Sequence, residues 1–368
     1  MINGSINQYF FLVIYIDNCM EEKIFKILCV DGGGIKGLYS LYVLQEFEKN
    51  LCQQGSTLSD YFDMICGTST GGLIALGIAC GYPTGDIIKL YENNANMIFP
   101  NDQNKSWLGK KIATICNGWK QLTGSKYGSE VLTKVADGFF EKKTMNDSKN
   151  LLCIPSFQIG TNTNIVFKYP HNEALSRYGP ILMRDVALAT SAAPTYFPPH
   201  NIESDNLSGY FVDGGVWANN PTLVGVTEAI KYFVGPTADK PYKKYDVLSI
   251  GNINVNKTDI LSNPNTYWNM KKIVDLLDLL MNSCQRSTCI FSKHLCQQTG
   301  GNLTRIECTN FPYTNALAMD NSNSDFLEAL KTFGKSDGVK HLNEGPNCPE
   351  EYNIKRFFLN KKTYMTKN

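Results

Sequence analysis

The chain has 368 residues, 43% of them hydrophobic and 19% charged, with 35 Lys+Arg against 34 Asp+Glu. This composition excludes whole-chain disorder, coiled coil and collagen-like structure and supplies ample material for a core. A net charge of +1 gives no global attraction for a nucleic-acid polymer.

Residues 1–19 read as an extension ahead of the fold. Tyr9 to Ile16 is apolar, but far shorter than the ~20 residues that span a bilayer. No positive charge precedes it and no clean cleavage site follows, which argues against a signal peptide. A short strand that docks on a membrane or partner is the alternative. The main domain is expected over 20–260, with a helical insertion near 96–145. A helical C-terminal part, 261–368, is expected to pack on the same domain.

Ile24 to Val30 reads as a buried strand ended by a glycine cluster, and Leu38, Leu41, Tyr42 and Leu44 follow it at helical spacing. Tyr61 to Cys66 reads as a second buried strand. Gly71 to Ala79 continues as a helix of small and apolar residues, stopped by Gly81 and Pro83. The insertion carries Trp107 beside Leu108, Lys110 and Lys111, and Trp119 beside Lys120. Those residues suit a membrane interface or a lid, or equally aromatics packed on the core. Further strands are predicted at Leu151 to Ile159, Ile165 to Tyr169, Tyr210 to Val212 and Val247 to Ile250. Ile273, Leu276, Leu277, Leu280 and Met281 mark a helix by their i, i+3, i+4, i+7, i+8 spacing. Strands alternating with helices predict an α/β fold, a three-layer sandwich around a mainly parallel central sheet.

Three glycine-bearing motifs carry the chemistry. Gly67-Thr68-Ser69-Thr70-Gly71 is G-x-S-x-G between a predicted strand and a predicted helix. In that setting the flanking glycines permit a strained turn that lifts Ser69 Oγ clear of the sheet. The second motif, Asp31-Gly32-Gly33-Gly34-Ile35-Lys36-Gly37, exposes backbone N–H groups at a helix start, where an anion can bind. It matches the dinucleotide fingerprint, with Glu48 as a ribose partner, but beside an activated serine it reads better as an oxyanion hole. No P-loop pattern occurs. The third motif, Asp213-Gly214-Gly215, closes a predicted strand and aims a carboxylate at a pocket.

A serine nucleophile needs a base. The order Ser…Asp…His would admit His294 or His341 to a triad, but one falls in helical texture and the other in a polar tail. His171 and His200 precede Asp213 and break the order. The residues therefore suggest a dyad, with Asp213 acting directly on Ser69. The 12 cysteines contain no C-x-x-C pair, and Cys284, Cys289, His294 and Cys296 follow no recognised ligand spacing. No metal and no cofactor is expected, and the cysteines read as reduced thiols of a cytoplasmic protein.

Taken together, the three motifs resemble the patatin-like phospholipase family. The stretches Thr190 to Pro199 and Val216 to Pro221 support the likeness, which covers residues 24–252. The resemblance implies a patatin-like sandwich and a Ser–Asp lipid acyl hydrolase with neither catalytic histidine nor metal. By motif position Ser69 corresponds to the nucleophile and Asp213 to the base. Gly32, Gly33 and Gly34 correspond to the oxyanion hole, supported by Lys36, Gly67, Gly71, Gly214 and Gly215. A phospholipid membrane surface is the expected partner, met peripherally. Two alternatives stand beside a plain phospholipase. One is an antiphage effector switched on by a cyclic nucleotide and controlled through homo-oligomerisation. The other is a generic carboxylesterase on the same dyad.

Overall fold

A computed structural model describes residues 23–98, 130–205, 207–237, 239–253, 273–311, 322–344, 349 and 353–366. The expected extension over 1–19 and the Trp107 and Trp119 segment of the insertion lie outside these residues.

Strand β1 (Ile24–Val30) is buried along nearly its whole length. This is the signature of a central strand covered on both faces, and explains its near-continuous apolar run. Its neighbours are β2 (Met64–Gly67) on one side and β7 (Lys244–Ile253) on the other, both parallel to it. β3 (Leu151–Gln158) adds in parallel beyond β2, and β8 (Gly301–Cys308) in parallel beyond β7. Three antiparallel strands finish the sheet at the β3 side: β4 (Thr163–Lys168), β5 (His200–Ile202) and β6 (Gly209–Asp213). The predicted mainly parallel sheet is therefore present, with an antiparallel margin.

Helices cover both faces, and the handedness of crossovers explains which goes where. From β1 the chain steps to β2 and β3 through α1 (Gly37–Leu51) and α2 (Thr70–Ala79). The elements α3 (Thr84–Ile98), α4 (Glu130–Phe140) and α5 (Met183–Ser191) pack with them. It then returns past β1 in the opposite direction, so α7 (Thr222–Tyr232) and α8 (Ile273–Gln298) lie on the other face, with the short α6 (Gly215–Ala218). Gly225 of α7 seats against the side chains of Ile27, Cys29 and Cys66. A last helix, α9 (Ser324–Leu342), packs on α1. The direction reverses at β1, and the crevice beyond the carboxyl ends of strands at such a point is where α/β sheets bind ligands.

Two expectations need correction. The C-terminal part is not wholly helical: β8 pairs with β7 from Tyr245↔Gly301 to Ile250↔Ile306 and belongs to the main sheet. Its alternation of buried and half-exposed residues marks an edge strand, a weaker pattern than the buried run of β1. The apolar stripe read into α8 also does not all face inward. Met281 is buried, but Leu280 is exposed.

Within the expected insertion near 96–145, the described residues include the last turn of α3, to Ile98, and α4, both helical. Among the described residues no helix is long and apolar enough to cross a membrane.

Candidate active site

The site forms because two strands share one side of β3. β2 runs parallel along its first half, with Cys66↔Cys153, and β6 runs antiparallel along its second half, with Asp213↔Ser156. β4 occupies the opposite side of β3. The carboxyl ends of β2 and β6 thus point toward each other across a gap at Ile154 and Pro155. Thr190 bridges that gap: its hydroxyl donates to the Pro155 carbonyl (2.6 Å) and accepts the Ser69 N–H (3.0 Å).

Ser69 leaves β2 in a left-handed conformation, φ 55°, and its carbonyl accepts from Gly72 N (2.8 Å) at the start of α2. A non-glycine residue rarely adopts this φ, so the surrounding packing must hold it there. Gly67 and Gly71 make the turn possible. A Cβ on Gly67 would meet the Gly71 carbonyl, and one on Gly71 would meet the Val30 carbonyl.

Ser69 Oγ donates to Asp213 Oδ2 at 2.5 Å, and Asp213 Oδ1 accepts from Gly215 N at 2.7 Å. Ser69 is 6% exposed and Asp213 1%. Burial raises the Asp213 carboxyl to a pKa of about 7, against the opposing pull of the Ser69 and Gly215 hydrogen bonds. A carboxylate of that basicity, in contact with a hydroxyl, is suited to proton transfer near neutral pH. Gly214 admits no side chain, since a Cβ there would strike the Pro155 carbonyl, and at Gly215 one would lie 2.5 Å from Met281 Cε.

None of the four histidines joins this pair. His171 bonds Glu228 (2.9 Å), His200 bonds Asp185 (3.2 Å) and His341 pairs with Glu344 (2.9 Å), while His294 is exposed on α8.

The glycine loop after β1 lies alongside. Asp31 N donates to Ile250 O (3.0 Å) and Gly32 N to Asn219 O (2.9 Å), and Asn252 Nδ2 donates to Gly32 O (2.7 Å). This corrects one expectation. The Gly32 N–H is committed to the Asn219 carbonyl and cannot serve as an oxyanion donor in this arrangement. Gly33 and Gly34 have no backbone hydrogen-bond acceptor for their N–H groups among the described residues, as expected at the start of a helical turn. Gly34, at φ 59°, needs the freedom of glycine. Lys36 is buried at the end of the loop, which suits support of the loop better than contact with a headgroup in solvent. Glu48, the ribose partner of the dinucleotide alternative, instead accepts from Leu58 N (3.2 Å) and Thr84 N (2.8 Å).

Two residues from the C-terminal part fix this loop, and nothing in the sequence singled them out. Arg305 on β8 grips Asp31 with both terminal guanidinium nitrogens (2.6 and 2.9 Å), and Gln285 on α8 donates to Asp31 Oδ2 (2.6 Å). Arg305 also bonds Ser249 (2.8 Å) and Glu307 (2.9 Å). Asp31 is wholly buried, so removing its partner strands a charge. Arg305→Met is expected to destabilise the fold by about 3–5 kcal/mol. Adding Asp31→Asn should recover a large part of that loss, measured by urea unfolding of the single and double variants.

The model of the patatin-like phospholipase family matches residues 28–226, which hold all three motifs. A cGAMP-activated phospholipase of Vibrio cholerae serotype O1 is 30% identical over 323 residues, covering 84% of this chain and 89% of that one. Another, from Escherichia coli strain TW11681, is 35% identical over 241 residues, or 64% of each chain. Among solved structures, VipD from Legionella pneumophila aligns over 86% of this chain and 66% of its own, at 12% identity and a TM-score of 0.36. That likeness is too slight to bear on the assignment, which the sequence relationships carry. By the family match and the relationship to the Vibrio protein over 84% of this chain, the chain belongs to the patatin-like phospholipase family.

Proposed function

We propose that this phospholipase cleaves fatty-acyl esters of membrane phospholipids through Ser69 and Asp213 and an acyl-enzyme intermediate. The observation that carries the reading is the 2.5 Å hydrogen bond from Ser69 Oγ to a buried carboxylate whose pKa is raised to about 7. Asp213 takes the hydroxyl proton as Oγ attacks the ester carbonyl. The Gly33 and Gly34 N–H groups stabilise the oxyanion, each such donor contributing ~10²–10³ in kcat. The tetrahedral species collapses, the proton passes from Asp213 to the departing alcohol oxygen, and the acyl group stays on Ser69. Water, deprotonated by Asp213, then attacks the acyl carbonyl; as the second tetrahedral species collapses the proton passes from Asp213 to Ser69 Oγ, and the fatty acid is released. The working unit is the single sheet domain, including β8. It meets the bilayer peripherally, from the cytoplasm.

A second reading is favoured by one specific observation: relatives named cGAMP-activated phospholipases are 30% and 35% identical to this chain. In it a cyclic nucleotide switches the enzyme on, through a change in homo-oligomeric state. A generic carboxylesterase on the same dyad is the remaining alternative. One experiment separates all three: fatty-acid release from phospholipid vesicles and from a soluble short-chain ester, with and without cGAMP. The proposal predicts release from vesicles. Release only with cGAMP establishes the gated effector, and turnover of the soluble ester alone, with or without cGAMP, establishes the carboxylesterase.

A further inference from the structure

Helix α8 has two faces with different chemistry. Its inner face reaches the active site: Gln285 holds Asp31, Met281 lies against Gly215, and Cys284 Sγ is 3.4 Å from the Trp217 carbonyl. Its outer face carries Leu279, Leu280, Ile290 and Phe291, exposed to between 44 and 69%. The two pairs stand eleven residues apart, close to three whole turns, so they lie on one side of the helix along roughly 18 Å. Large apolar side chains repeated in this way on an outer face are an unusual arrangement for a surface without a function. Val216, on the short α6 that follows Asp213, is also exposed.

Charge decides between the occupants of this face. The two acidic residues of α8, Asp275 and Asp278, stand in its first turns; from Leu279 to Gln298 there is no Asp or Glu, whereas Arg286 and Lys293 are exposed along that stretch. A strip that is apolar with only basic charge complements an anionic headgroup layer. It disfavours a second copy of itself, which would bring like charges together.

We propose that the outer face of α8, through Leu279, Leu280, Ile290 and Phe291 with Lys293 at its margin, seats the enzyme on an anionic phospholipid bilayer. The proposal rests on the phospholipase reading. It gives α8 two tasks: the side in the lipid interface faces away from the side that braces the glycine loop and the Asp213 loop.

The test is co-sedimentation with vesicles of phosphatidylcholine, with and without phosphatidylglycerol, in a Ser69→Ala background so that no lipid is consumed. The triple variant Leu280→Ser, Ile290→Ser, Phe291→Ser should lose tenfold or more in partition to phosphatidylglycerol vesicles, as expected from removing ~0.8 kcal/mol per buried methylene. Lys293→Glu should weaken binding to phosphatidylglycerol vesicles selectively. A triple variant that keeps the parent's melting temperature and still sediments as the parent does overturns the proposal. So does a triple variant that light scattering shows to be a monomer from an oligomeric parent, with vesicle binding retained, because the face is then a self-interface. Should the triple variant fail to fold, an undiminished preference of Lys293→Glu for phosphatidylglycerol overturns it instead. Absence of fatty-acid release by the wild type both with and without cGAMP would contradict the phospholipase reading, and the sedimentation result would be unaffected.

Discussion

Asp213→Asn is expected to lower kcat/KM for a soluble ester by ~10³–10⁴-fold, the range seen when a residue that directs proton transfer loses that ability with its geometry preserved. The replacement is nearly isosteric. Its amide oxygen can still accept from Gly215 N, now 2.7 Å from Asp213 Oδ1, and its NH₂ can face Ser69 Oγ. What is lost is the capacity to take a proton. The pH profile carries the same signature. Only the ionised carboxylate is a base, and burial brings its pKa to about 7. Activity of the wild type should therefore rise with pH through neutrality and level off above it, whereas an ordinary aspartate would have reached its plateau well below pH 7.

Stability should move the other way. The Asp213 carboxyl is raised from 3.8 to about 7 in the fold, so its contribution to stability is fully present below pH ~4 and is lost as pH rises through about 7. Above neutrality a buried, ionised carboxylate weighs against the native state. Asp213→Asn should then melt at a higher temperature than the wild type above neutrality, with the difference shrinking in acid. Calorimetry across pH checks this. A variant that is both inactive and more stable is what a strained functional site predicts.

Ser69→Ala is expected to reduce hydrolysis of phospholipid and soluble ester alike by on the order of 10⁴-fold or more, as removal of a nucleophile does. The fold should tolerate it. Alanine fits wherever serine does, and the φ of 55° is imposed by packing, not by the hydroxyl. The backbone Ser69 N–H keeps its bond to Thr190 Oγ1 (3.0 Å). Asp213 Oδ2 would lose the donor that helps keep it ionised, so its carboxyl should titrate still higher in this variant. Fatty-acid release measured beside circular dichroism distinguishes loss of chemistry from loss of structure.

The dyad was legible because each of its residues sits in a dense local pattern. Strand, glycine, serine, glycine and helix follow one another within a few positions around Ser69, and a strand ends in Asp-Gly-Gly at Asp213. Backbone geometry dictates such patterns, so they survive in the sequence. The supports of the site were less legible. Thr190 and Asn219 lay in stretches that marked the family likeness without disclosing their tasks as bridge and acceptor. Arg305 and Gln285 left no local mark at all. Each is one polar residue in an edge strand or a helix, and meets Asp31 only because β8 and α8 are brought against β1 by the fold. The Gly32 assignment failed for a related reason. A run of three glycines offers three N–H groups, and only tertiary structure shows that Asn219 claims one of them. β8 escaped notice because a half-exposed edge strand between helices lacks the near-continuous apolar run that revealed β1. The sheet order was likewise not a local property: β2 and β6 meet end to end only through their shared pairing with β3.

The most direct test of the central claim is to trap the serine. Wild-type protein treated with a long-chain fluorophosphonate and digested should show one adduct by mass spectrometry, on the peptide that contains Ser69. Labelling should be faster above neutrality than below it, slowed in Asp213→Asn and absent in Ser69→Ala. An unlabelled Ser69, or labelling of Ser69 that proceeds equally fast in Asp213→Asn, would contradict the Ser69–Asp213 dyad.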